Sequence, residues 1–504
     1  MTAQHTERPD HEIIIIGAGF GGLGVAIELK AAGMDDFVIL ERAADIGGTW
    51  RDNVYPGAGV DVPSWNYCYS FEPNQEWGHW FAKGPELKAY ADHCADKYGL
   101  RPHLRLNTTV KQAEFDEGTH RWTVDTEGLG PITARYVVFA YGGLTIPKRP
   151  DIPGLDDFAG TTMHSARWDR DYAPGGERVA VIGTGSSAAQ LIPELAEQAR
   201  TLAVFQRTPI WAVPAMDFRI PRPLRWFLKK VPQAWIPFRI ASVLMIESFF
   251  LFGIRFKIPA MVRMVEWAGL ALMRRQVRDR EIRRKLTPNY RFGCKFPTFS
   301  NRYYRTFARE NVELVTDPIE RITPTGVLTG DGVHHEIDTL VLATGFYIYE
   351  RGAAPPFPIV NGAGTDMGDH FQTHRWSAYE GVTVPGWPNG FWVLGPYSVT
   401  GSYFLMVENT ARHAIRCMRE ARRRSSTRVE IGRRPHDAYF EEMVRRQSTS
   451  IFYTSNCADS HSFYFDKFGD VPLIRPATGA EAWWRARRFP LDDYTFTARE
   501  STPS

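Results

Sequence analysis

The sequence is poor in cysteine, and its cysteines lie far apart. The five of them, Cys68, Cys94, Cys294, Cys417 and Cys457, occur singly and form neither a CxxC pair nor a metal-ligand spacing. A structural zinc site is therefore disfavoured, and so is a disulfide reductase, which needs a close redox-active cysteine pair. Because unpaired cysteines are typical of a reducing compartment, we expect the protein in the cytoplasm.

The chain also lacks an excess of charge of either sign. Its 504 residues include 60 Lys and Arg against 57 Asp and Glu, a formal net charge of +3 at pH 7. This balance is unlike that of a nucleic-acid-binding protein. The N-terminus, MTAQHTERPD, is polar and does not resemble a targeting signal. The longest apolar stretch, residues 240–254, contains Glu247 and is shorter than the ~20 residues of a spanning helix. We expect no nucleic-acid partner and no integral membrane segment.

Two segments share one pattern, an apolar strand followed by a glycine-rich turn and a helix. Strand residues 12–16 precede the letters GAGFGG, and strand residues 178–182 precede GTGSSA. In such turns the first glycine permits a tight bend, the second lets the backbone approach a pyrophosphate, and the third small residue lets the helix pack on the strand. The helix N-terminus then faces the phosphates with free N–H groups. The sequence predicts an α/β fold with two Rossmann-like dinucleotide-binding domains.

The residues after the second strand of each unit distinguish the two nucleotides. In the first unit the strand over residues 36–41 ends in Glu41, whose carboxylate can bind ribose hydroxyls, so this unit is predicted to hold FAD. In the second unit the strand over residues 202–206 is followed by Arg207 and Thr208, a cation and a hydroxyl that suit the 2′-phosphate of NADPH. The alternative for Arg207 is a solvated charge at the end of a strand.

Composition and motif order divide the chain into three parts. Residues 1–145 are assigned to the first part of the FAD-binding domain, residues 146–377 to the NADPH-binding domain, and residues 378–504 to the second part of the FAD-binding domain with a C-terminal tail. The proline-rich residues 146–153 are predicted to be a linker, because proline removes a ladder donor and favours extended geometry. Residues 211–288 are predicted to be a helical insertion rich in bulky apolar and basic residues. This insertion could cover a substrate cavity, form a subunit contact in a homo-oligomer, or attach to a membrane surface.

Two longer strings carry a family resemblance. Residues 158–169, FAGTTMHSARWD, match the fingerprint FxGxxxHxxxW(P/D), and residues 47–61, GGTWRDNVYPGAGVD, match the string [A/G]GxWxxxx[F/Y]P[G/M]xxxD. Both are signatures of the class B flavin-dependent monooxygenases, and the chain resembles their Baeyer–Villiger (type I) branch from about residue 12 to Phe463 and Tyr464. The resemblance implies that NADPH reduces FAD, that oxygen adds to the reduced flavin as a C4a-peroxide, and that this peroxide converts a ketone to an ester or lactone. An apolar ketone, or a sulfide, and O2 are the implied small-molecule partners.

The resemblance and the glycine patterns together assign residues to the two cofactors. The residues assigned to FAD are Gly17, Gly19, Phe20, Gly22, Glu41, Arg42, Gly48, Thr49, Trp50, Asp61 and Tyr67. The residues assigned to NADPH are Gly183, Gly185, Ser186, Ser187, Gln190, Arg207, Thr208 and Lys295. Two of them have ordinary alternatives, since Trp50 could be a core side chain and Lys295 a surface charge.

The fingerprint residues are expected to hold the domains together rather than to perform chemistry. They are Phe158, Gly160, His164, Trp168 and Asp169. A histidine in a linker between domains is more typical of a hydrogen-bonding strut than of an acid–base catalyst. We therefore expect substitutions here to disturb the coupling between the two nucleotide units.

The catalytic pair that the resemblance implies is incomplete. In the family, the Asp at the position of Asp61 orients an Arg that stabilises negative charge, although a turn-forming role is the alternative for Asp61. That Arg normally follows the lysine matched by Lys295, but here the position holds Phe296. Losing one such preorganised donor typically costs about 10²–10³-fold in rate.

Three outcomes follow from Phe296 at this position. Another cation takes the place of the Arg, with the candidates Arg291, Arg302, Arg305 and Lys295. Alternatively, the enzyme oxygenates sulfur or nitrogen, or it consumes NADPH as an uncoupled oxidase. A redox-sensing flavoprotein without oxygenase activity is a more distant alternative.

Overall fold

The computed structural model describes residues 8–231, 233–248 and 259–499, which form two main β-sheets with helices packed against them. Its strands are β1 (His11–Ile16), β2 (Phe37–Leu40), β3 (Leu104–Arg105), β4 (Val110–Asp116), β5 (Arg121–Thr126), β6 (Gly130–Phe139), β7 (Thr161–His164), β8 (Arg178–Ile182), β9 (Thr201–Phe205), β10 (Ala212–Val213), β11 (Thr298–Phe299), β12 (Val312–Val315), β13 (Ile319–Thr323), β14 (Gly326–Thr329), β15 (His334–Glu336), β16 (Thr339–Leu342), β17 (Ile359–Val360), β18 (Gly390–Trp392), β19 (Arg428–Ile431) and β20 (Tyr494–Thr497). Its helices are α1 (Phe20–Ala31), α2 (Thr49–Asp52), α3 (Gly84–Lys97), α4 (Ser186–Gln198), α5 (Arg222–Lys230), α6 (Ile236–Ser248), α7 (Pro259–Gln276), α8 (Arg280–Leu286), α9 (Tyr303–Thr306), α10 (Met367–Thr373), α11 (Tyr403–Arg423), α12 (Arg433–Gln447), α13 (Ile451–Thr454) and α14 (Gly479–Arg488).

The first sheet takes strands from two distant stretches of the chain. Its strand order is β17-β4-β5-β6-β1-β2-β3, and β18 also pairs with β6. Strand β1 lies between β6 and β2 and is parallel to both, with Ile14 opposite Val38 on one side and Val137 on the other. Ile13 and Ile15 enter one hydrophobic core while Ile14 enters another, so both faces of this strand are covered. A strand buried on both faces explains the unbroken run of isoleucines before the first glycine turn.

The second sheet is parallel throughout. Its order is β12-β9-β8-β16-β7, and every neighbouring pair runs in the same direction. The last residues of β7, β8, β9 and β16 lie side by side, because His164 and Ile182 both pair with Leu342 and Ile182 pairs with Phe205. The carboxyl ends of these strands therefore form one edge, which is where parallel sheets bind nucleotides.

Helices α5 to α8 lie between β10 and β11, within the part of the chain predicted to be a helical insertion. Helices α5 and α6 rest on the first domain: Leu224 and Phe238 pack against its main core, and Phe238 stacks on Trp65 with 5.0 Å between ring centroids. None of the described helices is long and apolar enough to cross a membrane. Of the apolar stretch over residues 240–254, residues 249–254 lie outside the described residues.

Candidate active site

The turn after β1 can only be built from glycine. Gly17 has a φ of +107°, and a Cβ added there would lie 2.5 Å from the carbonyl oxygen of Ala140. A Cβ on Gly22 would lie 1.9 Å from the carbonyl oxygen of Gly17, so α1 packs directly on the turn. Gly48, with a φ of +52°, faces Gly19 from the other side, since its Cβ would lie 3.0 Å from the Gly19 Cα. Bare backbone at the start of α1, which begins at Phe20, is what a pyrophosphate needs at a helix N-terminus.

Glu41 follows β2 and is held over this turn. Its carboxylate accepts the N–H groups of Ala18 at 2.9 Å and Ala43 at 3.0 Å, and pairs with Arg51 Nη1 at 2.9 Å. A carboxylate offers about four lone-pair sites, so one remains for a ribose hydroxyl. Arg42 and Thr49, also assigned to FAD, are exposed at the rim. The residues present therefore fit the adenosine half of FAD.

Aromatic side chains continue the cleft from Trp50. The Trp50 Nε1 donates to the Tyr67 hydroxyl at 3.0 Å, and the two rings meet edge to face. Tyr67 in turn stacks on Tyr403, with 6.2 Å between ring centroids, and meets Phe404 at 5.0 Å. Trp50 is half-buried and has a polar partner, so it lines the cleft as well as packing against the core. A flat wall of this kind suits an isoalloxazine ring.

Asp61 lies in the same cleft without a cation. It forms no salt bridge with any described residue, and burial raises its pKa to about 6. Its titratable neighbours are neutral phenols: burial raises the pKa of Tyr55, Tyr67 and Tyr464, and the Asp61 carboxylate adds to each of these shifts. An adjacent arginine would instead lower the pKa of the carboxyl group.

The second glycine turn repeats the construction of the first. Gly183 has a φ of +108°, and its Cβ would lie 2.4 Å from the carbonyl oxygen of Ala343. At Gly185, by contrast, an added Cβ would meet nothing within 4 Å. Helix α4 begins at the next residue, Ser186, and both Ser186 and Ser187 are half-buried. Open space in front of a helix N-terminus fits a second pyrophosphate.

Two cations lie beside this turn without an acidic partner. Burial, followed by the positive charge of Arg207, lowers the pKa of Lys295 to about 8. Neither Arg207 nor Lys295 forms an ion pair with any other described residue. The Thr208 carbonyl accepts the Thr184 hydroxyl at 2.9 Å, which fixes the backbone after Arg207. An anion bound between Arg207 and Lys295 would offset the repulsion between these two cations. The residues present therefore fit the 2′-phosphate of NADPH.

Gln190 joins the helix after the second glycine turn to the loop that leads to Asp61. It lies on α4, and its Oε1 accepts the Tyr55 hydroxyl at 2.9 Å while its Nε2 donates to the Gly59 carbonyl at 3.0 Å. Tyr55 and Gly59 belong to the loop that leads to Asp61. The sequence assigned Gln190 to NADPH; the structure adds this contact between the two units.

The fingerprint segment forms the edge strand β7 and the turn after it. A Cβ on Gly160 would lie 2.3 Å from the carbonyl oxygen of Asp338, and Trp168 is buried against Tyr172. Burial lowers the pKa of His164 to about 4, and its Nδ1 accepts the Ala166 N–H at 3.0 Å. This hydrogen bond is local to the turn after β7, and the role of His164 as a strut between domains stays a prediction. Phe158 packs at the edge of a core cluster and Asp169 is exposed, so neither lies among the cofactor residues.

Phe296 is half-buried in an apolar cluster rather than at a charged site. The cluster also contains Phe292, Phe452 and Tyr464. Of the cations considered as replacements, Arg291 pairs with Glu266 at 2.8 Å and Arg302 pairs with Glu194 and Glu197. Arg305 is exposed. Lys295 and Arg305 form no ion pair with any described residue, and of these two Lys295 is half-buried and lies beside Arg207.

The prediction that all five cysteines are unpaired was wrong for two of them. Cys294 and Cys457 form a disulfide with their Cα atoms 4.9 Å apart, while Cys68, Cys94 and Cys417 are free and buried. The bond ties the loop of Lys295 and Phe296 to the segment before Tyr464. A sequence separation of 163 residues left no local signal for it.

Comparisons with known proteins agree with this geometry. A family model described as pyridine nucleotide-disulphide oxidoreductase matches residues 14–222, which contain neither half of the disulfide. A Baeyer–Villiger monooxygenase of Streptomyces coelicolor is 36% identical over 504 residues, covering 98% of this chain and 94% of that protein. The crystal structure of OTEMO in complex with FAD and NADP has a TM-score of 0.86 and 27% identity, over 97% of this chain and 100% of that one.

The closed crystal structure of cyclohexanone monooxygenase is equally similar. Its TM-score is 0.86 at 27% identity, over 98% of this chain and 100% of that one. The predicted family and the predicted α/β fold with two dinucleotide-binding units are confirmed. With a relative this similar over almost its full length, the chain belongs to the Baeyer–Villiger monooxygenases.

Proposed function

We propose that the protein is an FAD- and NADPH-dependent monooxygenase that inserts one oxygen atom of O2 into an apolar ketone to give an ester or lactone. The observation that carries this proposal is the pair of glycine turns, with Gln190 joining α4 to the loop that leads to Asp61 and with Arg207 and Lys295 beside the second turn and in no ion pair with a described residue. NADPH supplies two electrons, one oxygen atom enters the product, and the other leaves as water. Bound FAD supplies the oxygen-activating chemistry.

The residues of this chain have four tasks in that reaction. The two glycine turns bind the pyrophosphates, and Glu41 binds a ribose. Arg207 and Lys295 select the phosphorylated nucleotide. Trp50 and Tyr67 would line the flavin site and exclude water from it. Asp61 holds negative charge near the reacting centre above a pH of about 6 and is neutral below it.

Phe296 supports a second candidate function, oxygen transfer to sulfur. Among the described residues no guanidinium pairs with Asp61, so the negative charge that develops during attack on a ketone lacks the donor that the family arginine would provide. Electrophilic transfer to a thioether develops no such charge on the substrate. We therefore expect sulfoxide formation to be less affected by Phe296 than ester formation.

The test is product analysis of the flavin-loaded protein. It is incubated with NADPH, O2 and either cyclic, linear and aryl ketones or a thioether, and products and hydrogen peroxide are quantified against NADPH consumed. Ester or lactone as the main product supports the proposed function, and sulfoxide alone supports the second candidate. NADPH consumption that yields only hydrogen peroxide with every substrate contradicts both.

We also propose a cytoplasmic location. Three free buried thiols agree with a reducing compartment, while the Cys294–Cys457 disulfide is unusual for one. Alkylation of rapidly quenched cells followed by mass spectrometry measures the state of this pair. A fully oxidised pair in the cell would contradict the cytoplasmic assignment.

A further inference from the structure

One stretch of the chain, residues 211–288, carries a large excess of positive charge. Residues 211–288 contain sixteen Lys and Arg against five Asp and Glu, an excess of eleven positive charges. Because the whole chain has a formal charge of only +3, the remainder carries an excess of eight negative charges. Basic side chains that lie close together on a surface attract that surface towards anionic partners.

Exposed large apolar side chains are concentrated in the same region. Eighteen such side chains are exposed in the described part of the chain, and ten of them lie between residues 216 and 267. The ten are Met216, Phe218, Trp226, Phe227, Val231, Ile240, Leu244, Met245, Met264 and Trp267. Single exposed apolar residues are normal on a soluble protein, but a concentration of them marks an interaction surface.

Helix α5 combines the two properties within nine residues. Leu228 is buried and Leu224 packs on the main core, which fixes the inner face of the helix. Trp226 and Phe227 point outward, with 64% and 45% of their surface exposed. The exposed Lys229 and Lys230 follow directly. Tryptophan and phenylalanine next to lysine are typical of helices that lie in the interface of a membrane.

Helix α6 continues the surface. Its inner face is fixed by Phe238, stacked on Trp65, and by buried Ser242 and Ile246. Its outer face presents Ile240 and Leu244, which are 54% and 60% exposed. Because α5 and α6 both pack their inner faces on the same core, their outer residues face away from the protein. These residues therefore do not line a substrate cavity.

Charge distinguishes the two remaining partners for this surface, which are a second copy of the chain and a lipid membrane. In a symmetric dimer the same patch meets itself, so the exposed Arg222 and Lys230 of the two copies would face each other. An anionic lipid surface instead offers charges of opposite sign, and its acyl region accepts Trp226, Phe227 and Leu244. We propose that the outer faces of α5 and α6 dock the enzyme on anionic phospholipid membranes.

Co-sedimentation with vesicles tests this surface. The flavin-loaded enzyme is mixed with phosphatidylcholine vesicles that contain or lack phosphatidylglycerol, at low and high salt. We expect binding only to the anionic vesicles and its loss at high salt, because exposed charges are screened. Equal binding to both vesicle types, or binding to neither, would overturn the proposal.

Two double variants and two controls localise the contact. Arg222→Glu with Lys230→Glu is expected to weaken vesicle binding by at least about 25-fold, since each basic side chain near an anionic surface contributes about fivefold. Trp226→Ala with Leu244→Ala is expected to weaken it by about tenfold or more. The controls are Lys111→Glu on β4 and Leu129→Ala, which is 52% exposed and also lies far from this region in sequence.

The folded state of the variants is checked by circular dichroism and flavin content. Alanine is the best helix former and the replaced side chains are exposed, so both measurements should be unchanged. Sedimentation velocity without lipid tests the alternative occupant. A dimer that the two double variants dissociate, or vesicle binding that falls as much in the controls as in the variants, would refute the membrane surface.

Discussion

Lys295 is expected to make the affinity for NADP+ depend on pH. Burial and the nearby Arg207 lower its pKa to about 8. The lysine is then about nine-tenths protonated at pH 7 and about one-tenth protonated at pH 9. If only the protonated form binds the 2′-phosphate, which is a dianion over this range, the Kd for NADP+ rises about tenfold from pH 7 to pH 9. His461, the other group near this pair, has a pKa lowered by burial and by both cations, so it is neutral at either pH.

Isothermal titration calorimetry at pH 7 and pH 9 measures the Kd for NADP+, and three matched controls accompany it. NAD+, which lacks the 2′-phosphate, should bind with the same Kd at pH 7 and pH 9. Lys295→Arg should bind NADP+ with little pH dependence, because a guanidinium stays protonated throughout. Lys295→Met should lose about 10- to 100-fold in NADP+ affinity at pH 7 and none in NAD+ affinity. A wild-type Kd for NADP+ that does not change between pH 7 and pH 9 would refute the assignment of Lys295 to the phosphate.

Three further predictions concern other parts of the site. Phe296→Arg should raise ester yield per NADPH by about tenfold or more, without changing flavin content, because it places a cation in the cluster of Tyr464, whose pKa the Asp61 carboxylate raises. Product analysis by gas chromatography that shows an unchanged yield contradicts this role. Gly22→Ala should abolish flavin binding, because its Cβ would lie 1.9 Å from the Gly17 carbonyl oxygen. The flavin absorbance of the purified variant measures this, and a normal flavin spectrum contradicts the tight turn. Cys457→Ser should lower the unfolding free energy of the oxidised protein by up to about 5 kcal/mol, from the loop closed by the bond; the difference should vanish in dithiothreitol, and denaturant curves that differ equally under both conditions would assign the effect to packing instead.

The parts of the site that depend on backbone shape could be predicted from the sequence. Gly17, Gly22 and Gly183 occupy positions where a Cβ would collide with a carbonyl oxygen, so the glycine spacing records the turn itself. Glu41 and Arg207 follow directly from counting to the end of the next strand. Each of these positions is defined by residues within about thirty places along the chain, where strand and helix periods apply.

The parts that depend on distant contacts could not be predicted. Cys294 and Cys457 are brought together only by the packing of cluster residues such as Phe452. The sequence gives Arg291, Arg302 and Lys295 equal standing as substitutes for the missing guanidinium. In the structure Arg291 pairs with Glu266 and Arg302 pairs with Glu194. A sequence reports that a charge exists, but its pairing partner is decided by tertiary structure.

The two hydrogen bonds of Gln190 tie helix α4 to the loop that leads to Asp61. A displacement of either element is therefore expected to displace the other. A rotation that lifted α4 away from the flavin side would break both bonds or drag Tyr55 and Gly59 with it. If NADPH binds at the N-terminus of α4 as proposed, a shift of this helix on binding would move the loop that leads to Asp61. One amide side chain, supported by the packing of Tyr55 and Ala58 against α4, thus couples the proposed NADPH-binding helix to the loop of Asp61.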